Sequence, residues 1–167
     1  MNGLRIIGRE DLDRLSGVAA ASARRRLNLN LHPQLDDPIQ RLFNAMEPST
    51  YVRPHRHARD GGWELMMALR GAFSILTFDD AGTVTERVDL RASGESVLAE
   101  IPAHTWHAVT VLQPGTIMFE VKAGPYSPVH DKDFARWAPL EGDEASNRFV
   151  QWYRDARLGD RPPDWPE

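Results

Sequence analysis

From Trp63 to Lys122 the chain meets a turn signal about every 8 to 12 residues, and this rhythm limits its fold more than any other feature. The spacing predicts strands over Trp63–Leu69, Ala72–Phe78, Val84–Leu90, Val97–Ile101, His104–Val111 and Thr116–Lys122. The breaks fall at Arg70-Gly71, at Asp79-Asp80-Ala81-Gly82, at 91–95, at Pro102 and at Gln113-Pro114-Gly115. The gaps are too short for crossover helices, which excludes a parallel α/β sheet. Phe73, Ile75, Leu76 and Phe78 place apolar atoms on both faces of one strand. That suits a strand packed between layers in an all-β sandwich or closed barrel.

The flanks read differently. Leu4–Ile7 is expected as a short strand or an extended arm. Asp11 is expected to cap a helix from about Leu12 to Leu27, with Leu12, Leu15, Ala19 and Ala23 as its apolar stripe. Arg24, Arg25 and Arg26 would then end the helix, where positive charge suits the dipole or offers an anion site. Residues 28–38 read as a polar loop, in which His32 is a structural or substrate-side group. Ile39–Ala45 reads as one or two helical turns. After Gly124 the chain is irregular and aromatic. Phe149 with Trp152 or Tyr153 forms one helix face, and a Pro-rich tail follows. One structural domain is expected, with an N-terminal arm and helices over 1–48, a barrel over 49–126 and a C-terminal extension over 127–167.

The chemistry concentrates in Thr50–Gly71, TYVRPHRHARDGGWELMMALRG. In a strand His55 and His57 share a face, because side chains alternate. Gly61-Gly62 marks a turn, and Glu64 opens the next strand. Two antiparallel strands so joined would bring two imidazoles and a carboxylate to one point. His107, in PAHTWHAVTV, is the best fourth member. These N/O ligands suit one divalent transition metal, namely zinc, iron, manganese, nickel or cobalt. With no cysteine in the chain, a metal must be held this way. By the same alternation Tyr51 and Arg53 would face the site, Tyr51 as a proton donor or a hydrogen-bonded wall residue, Arg53 as the partner of a ligand carboxylate or of a buried acidic residue. Pro54 makes this strand an edge or a bulge. His104 is expected at the mouth or in a turn, not as a ligand.

HRH followed by Glu64 and Gly71, then Gly94, Pro102 and His107, resembles the two motifs of the cupin superfamily. The resemblance implies an RmlC-like jelly roll, a double-stranded β-helix barrel, with His55, His57, Glu64 and His107 as metal ligands. The chain departs from the pattern in a longer gap from His57 to Glu64, in His104 where glycine is common and in Val111 where asparagine is common. Residues 24–32, 40–57 and 119–142 resemble the WbuC family of cupin-fold metalloproteins, sometimes encoded among O-antigen and surface-polysaccharide genes. That likeness points to FEVKAGPY and makes Glu120, Lys122 and Tyr126 candidates for the pocket. Whether Glu120 and Lys122 face the lumen or solvent stays open from the residues alone.

A formal charge of −4 gives no basic footprint for nucleic acid, and no run of about 18 apolar residues spans a membrane. The N-terminus lacks the apolar core of a signal peptide, so a cytoplasmic location is expected. The open edge at the arm and the aromatic tail favour a homodimer. The leading expectation is a metal-dependent enzyme on a small anionic or sugar-like substrate, in a polysaccharide-related setting. The alternatives are a non-catalytic metal-dependent binding protein for carbohydrate or organic acid, and a metal-free acid–base enzyme of the epimerase type.

Overall fold

The computed structural model describes residues 3–125 and 134–165. After an extended, exposed arm, helix α1 spans Arg9–Ala21. Asp11 is its third residue rather than its cap, and its carboxylate accepts the Gly8 N–H at 2.9 Å. The helix ends six residues earlier than expected. Ser22 turns back on Ala19, its hydroxyl donating to that carbonyl at 2.8 Å, and Arg25 takes a left-handed φ of 56°. The arginines therefore lie outside the helix. Arg24 and Arg26 both clasp Glu141, at 2.6 and 2.8 Å, so the anion they meet is the protein's own carboxylate.

Eight strands follow: β1 Arg26–Asn30, β2 Ile39–Met46, β3 Glu64–Arg70, β4 Ala72–Phe78, β5 Val84–Arg91, β6 Leu98–Ile101, β7 Trp106–Val111 and β8 Thr116–Ala123. They form an antiparallel five-stranded sheet, β1-β2-β8-β3-β6, and an antiparallel three-stranded sheet, β5-β4-β7. The two sheets build the jelly-roll barrel of a cupin. Part of the segment expected as a loop, and all of Ile39–Ala45, are strands. The helical reading of β2 fails because both of its faces are buried. Leu42 and Met46 point one way, while Phe43 and Ala45 lie under α1 beside Leu15, Ala19 and Ile117. A strand covered on both sides loses the polar–apolar alternation that identifies it.

Between the sheets, Phe73, Ile75, Leu90, Val109 and Val111 pack against Met46, Met66, Met118 and Ile101. At the β3–β4 turn Gly71 has φ 69°, and a Cβ there would run into Thr116. A second helix, α2, spans Ser146–Asp155 and seals the outer face of the small sheet. Phe149 and Tyr153, one turn apart, pack on Leu76, Phe78 and Ala108. Arg87 of β5 donates to the Tyr153 and Ala156 carbonyls at 2.7 and 3.1 Å, giving partners to the helix's last acceptors. No helix among the described residues is long and apolar enough to cross a membrane.

Candidate metal centre

Residues 51–57 are extended but form no regular strand. The expected hairpin with β3 is absent: the segment runs beside β7 instead. His55 and His107 exchange backbone hydrogen bonds at 3.0 and 2.9 Å, and the His104 N–H donates to the His57 carbonyl at 3.1 Å. Pro54 has no N–H for a ladder, and its carbonyl accepts from Ala135 at 2.9 Å. Regular alternation is lost there. The Tyr51 hydroxyl donates to the Pro139 carbonyl at 3.0 Å, and its ring stacks on Tyr153 in the α2 layer. Arg53 donates to the Ala135 carbonyl at 2.9 Å and lies over the Phe134 ring. Neither lines the cavity beside the histidines, whereas Val52 does. Both expectations are corrected by the break at Pro54.

The four expected ligands do converge. One ligand atom from each of His55, His57, Glu64 and His107 lies within 4.8 Å of the others. Glu64 and His107 are 2% and 1% exposed, respectively. His57 Nε2 approaches Glu64 Oε1 at 3.0 Å, and His107 Nε2 approaches Glu64 Oε2 at 2.9 Å. These are ion-pair distances, but His57 Nε2, His107 Nε2 and Glu64 Oε2 lack a well-directed hydrogen-bond partner. In two of the three rings the other nitrogen is engaged: His55 Nδ1 meets the Arg53 carbonyl at 3.0 Å, and His107 Nδ1 meets the Thr105 carbonyl at 2.9 Å. An Nδ1–H given to a carbonyl leaves the Nε2 lone pair aimed inward, as metal-bound histidines require. Buried, convergent and unpartnered N and O atoms fit a divalent transition metal.

Across the large sheet a polar chain backs the cluster. Glu64 lies opposite Lys122 in the β3–β8 register. Lys122 Nζ is 3.0 Å from Glu64 Oε1 and 2.7 Å from Glu120 Oε1, and Asn44 Nδ2 donates to Glu120 Oε2 at 2.7 Å. The open question of parity is thereby answered: Met118, Glu120 and Lys122 face the lumen. Asn44 was missed because its strand read as helical, although its spacing from Leu42 and Met46 is that of one strand face. A cavity of about 110 Å³ adjoins His55 and Glu64 and is also lined by Met46, Met66 and Met118, on the same sheet face as Glu120 and Lys122. Tyr126 lies outside the described residues.

Burial, together with the nearby His107, pushes His55 down to about 3. Burial works against charge on Glu64 and His107 too. Lys122 and the imidazoles nevertheless hold Glu64 well below the carboxylate range, and Glu64 raises His107. Glu120 is pushed up by burial against the pull of Lys122. Lys122 is held above its ordinary value by Glu120 and Glu64 despite burial.

The other histidines serve the fold. His104 is exposed at φ 66° with Nε2 at 3.4 Å from Asp60 Oδ1, and His32 Nδ1 accepts the Arg41 N–H at 3.0 Å. Gly62 sets the position of His57. A Cβ on it would come within 2.8 Å of His57 Cβ and 2.9 Å of the His57 carbonyl. Gly62→Ala should therefore displace His57 and weaken metal binding about tenfold, in the range seen when a ligand loses its support. Chelator competition measures this, and unchanged affinity would show that the loop absorbs the methyl.

Among solved structures, the chain is similar to salicylate 1,2-dioxygenase from Pseudoaminobacter salicylatoxidans, with a TM-score of 0.54 and 10% identity over 71% of this chain and 33% of that one. It is similar to the TT1209 protein from Thermus thermophilus, with a TM-score of 0.50 and 19% identity over 68% and 93%. It is also similar to a cupin superfamily protein from Desulfitobacterium hafniense, with a TM-score of 0.47 and 20% identity over 65% and 86%. At these identities the likeness is one of fold. No curated protein matches the sequence. The profile of one family, a domain of unknown function designated DUF6016, matches residues 7–90, half of the chain, and the protein belongs to that family.

Proposed function

We propose that this chain is a metal-dependent enzyme acting on a compact, anionic small molecule. The observation that carries the proposal is the convergence of buried, unpartnered His57, His107 and Glu64 atoms, with Glu64 and His55 lining the adjoining small cavity. A divalent ion held there supplies a Lewis-acidic centre that polarises an oxygen atom of a ligand. Glu64, Glu120 and Lys122 together carry −1, and the three imidazoles are neutral when they ligate. With a divalent cation the site carries +1, which one monoanion balances. Arg53 contributes nothing to this count, being turned onto Phe134, and Arg26, which also lines the cavity, is paired with Glu141 at 2.8 Å. Lys122 presents the positive charge on the lumen side, and the methionine wall suits an apolar portion of the ligand.

Size narrows the class further. The cavity is small, about 110 Å³, and suits a short carboxylate better than a sugar ring as the group that reaches the metal from this side. The link to surface polysaccharides is supported by the WbuC resemblance alone. The metal-free acid–base reading leaves unexplained the buried Glu64 carboxylate set against two imidazoles without a well-directed bond to either.

The test is calorimetric titration of metal-loaded, untagged protein against lactate, a uronic acid and a neutral hexose. Lactate should bind most tightly and should be lost when the metal is removed. Tighter binding of the hexose, or anion binding that survives metal removal, would sink the proposal. Turnover of the tight binder separates an enzyme from a binding protein.

A further inference from the structure

We infer that Lys122 is a positioning residue that makes Glu64 a one-oxygen ligand, and so sets how many positions on the metal stay open to substrate. The inference rests on the metal reading above. The two oxygens of Glu64 have different surroundings. Each faces an imidazole, Oε1 the His57 Nε2 at 3.0 Å and Oε2 the His107 Nε2 at 2.9 Å, but only Oε1 also receives the Lys122 ammonium, at 3.0 Å, while Oε2 has no well-directed partner. A carboxylate can ligate through one oxygen or chelate through both. A cation bonded to one oxygen draws on the lone pairs that chelation would need, and it fixes the rotation of the carboxylate plane.

Lys122 is itself held in place. Directly opposite Glu64 in the β3–β8 register, it is aimed from behind by Glu120, which Asn44 anchors from β2. Three neighbouring strands thus contribute one chain, Asn44–Glu120–Lys122–Glu64, whose end point is a single carboxylate oxygen. Glu120 has a second effect. It offsets the charge of Lys122, so the ammonium can stand close to a metal ligand without adding net repulsion to a bound cation. Stability alone does not require this arrangement, because a buried ion pair is often matched by apolar residues of similar volume.

The experiment uses the cobalt-loaded full chain. X-ray absorption and the visible ligand-field spectrum report the coordination number. A crystal structure of the loaded wild type should show Glu64 Oε2 on the ion and Oε1 on Lys122. The charge-neutral variant Lys122→Met/Glu120→Gln should gain an oxygen scatterer and change the visible spectrum. Its affinity for the bidentate probe acetohydroxamate should fall about tenfold. Lys122→Arg, which keeps a charged donor, should restore the wild-type spectrum and affinity. Equal distances from the ion to both Glu64 oxygens in the wild type would overturn the inference, as would a double variant with unchanged coordination. If the double variant fails to load, the wild-type geometry and Lys122→Arg still decide. Failure of the wild type to bind cobalt would instead overturn the metal reading itself.

Discussion

Replacing His107 with alanine removes the metal while leaving the barrel standing. His107 is the most deeply buried of the four converging residues, and its Nε2 stands 2.9 Å from Glu64 Oε2. Its backbone holds β7 to β4 opposite Thr77 and to His55, and alanine preserves those bonds. What is lost is one of the four converging side chains that would hold the metal. Loss of a residue that merely supports a ligand costs about 10- to 100-fold in metal affinity. Loss of the ligand itself should cost at least the upper end of that range. His104→Ala is the matched control, because that ring is exposed, faces Asp60 and should leave loading intact. Elemental analysis gives metal per chain, and the far-ultraviolet dichroism of the metal-free proteins confirms that both variants fold. Full loading of His107→Ala would show that this cluster is not the site.

Much of the converging cluster was legible because its members mark themselves. Two histidines separated by one residue, a glutamate past a glycine turn and a later histidine after Pro102 are enough to name the set, whatever the pairing of the strands. The pairing itself was not legible. His55 and His57 appeared to belong to a hairpin with β3, yet they run beside β7, and no local signal records which strand an extended segment joins. Tyr51 and Arg53 were misplaced for a related reason. Alternation is a property of regular strands, and Pro54 interrupts this one. The structure instead ties both residues to the segment from Phe134 to Pro139.

The fold shows the same division. Strands punctuated by Gly71, Gly82 and Gly115 were placed to within a few residues, because each glycine turn has a positive φ and fixes a boundary. β2 was not, because burial on both faces removed its period. The direction of Glu120 and Lys122 was undecidable for a similar reason. Phe119 and Val121 alternate with them, and a lumen lined by the His55, His57, Glu64 and His107 cluster admits charged residues that an ordinary core would exclude. Only their ion pairs, with each other and with Glu64, reveal which face they take.

Metal-free protein should be most stable near pH 6.5 and lose stability on both sides, and the acid side should be the steeper. His55 controls the acid limb. Its folded pKa of about 3 lies below its ordinary 6.5, so on acidification the unfolded chain takes up a proton that the folded one refuses. Stability is therefore full above about 6.5 and drains away down to about 3, by at most about 5 kcal/mol. Glu64, held well below its ordinary value, adds a loss as the pH falls through its folded pKa. Glu120 works in the opposite sense: raised by burial, it contributes stability that is present at low pH and lost as the pH rises. His107 controls the alkaline limb. Its pKa is raised beside Glu64, so its contribution is present below about 6.5 and disappears as the pH rises through the folded value. A bound metal should change both limbs. It requires neutral imidazoles, so it removes the His107 contribution and replaces it with ligation, which weakens in acid. Thermal unfolding of metal-free and metal-loaded protein from about pH 4 to pH 9 tests this. The metal-free midpoint should peak near neutrality, and His55→Gln should flatten the acid limb. A metal-free midpoint that stays level from pH 7 to pH 4.5, or an acid limb unchanged in His55→Gln, would mean that the His55 imidazole is not held neutral by burial.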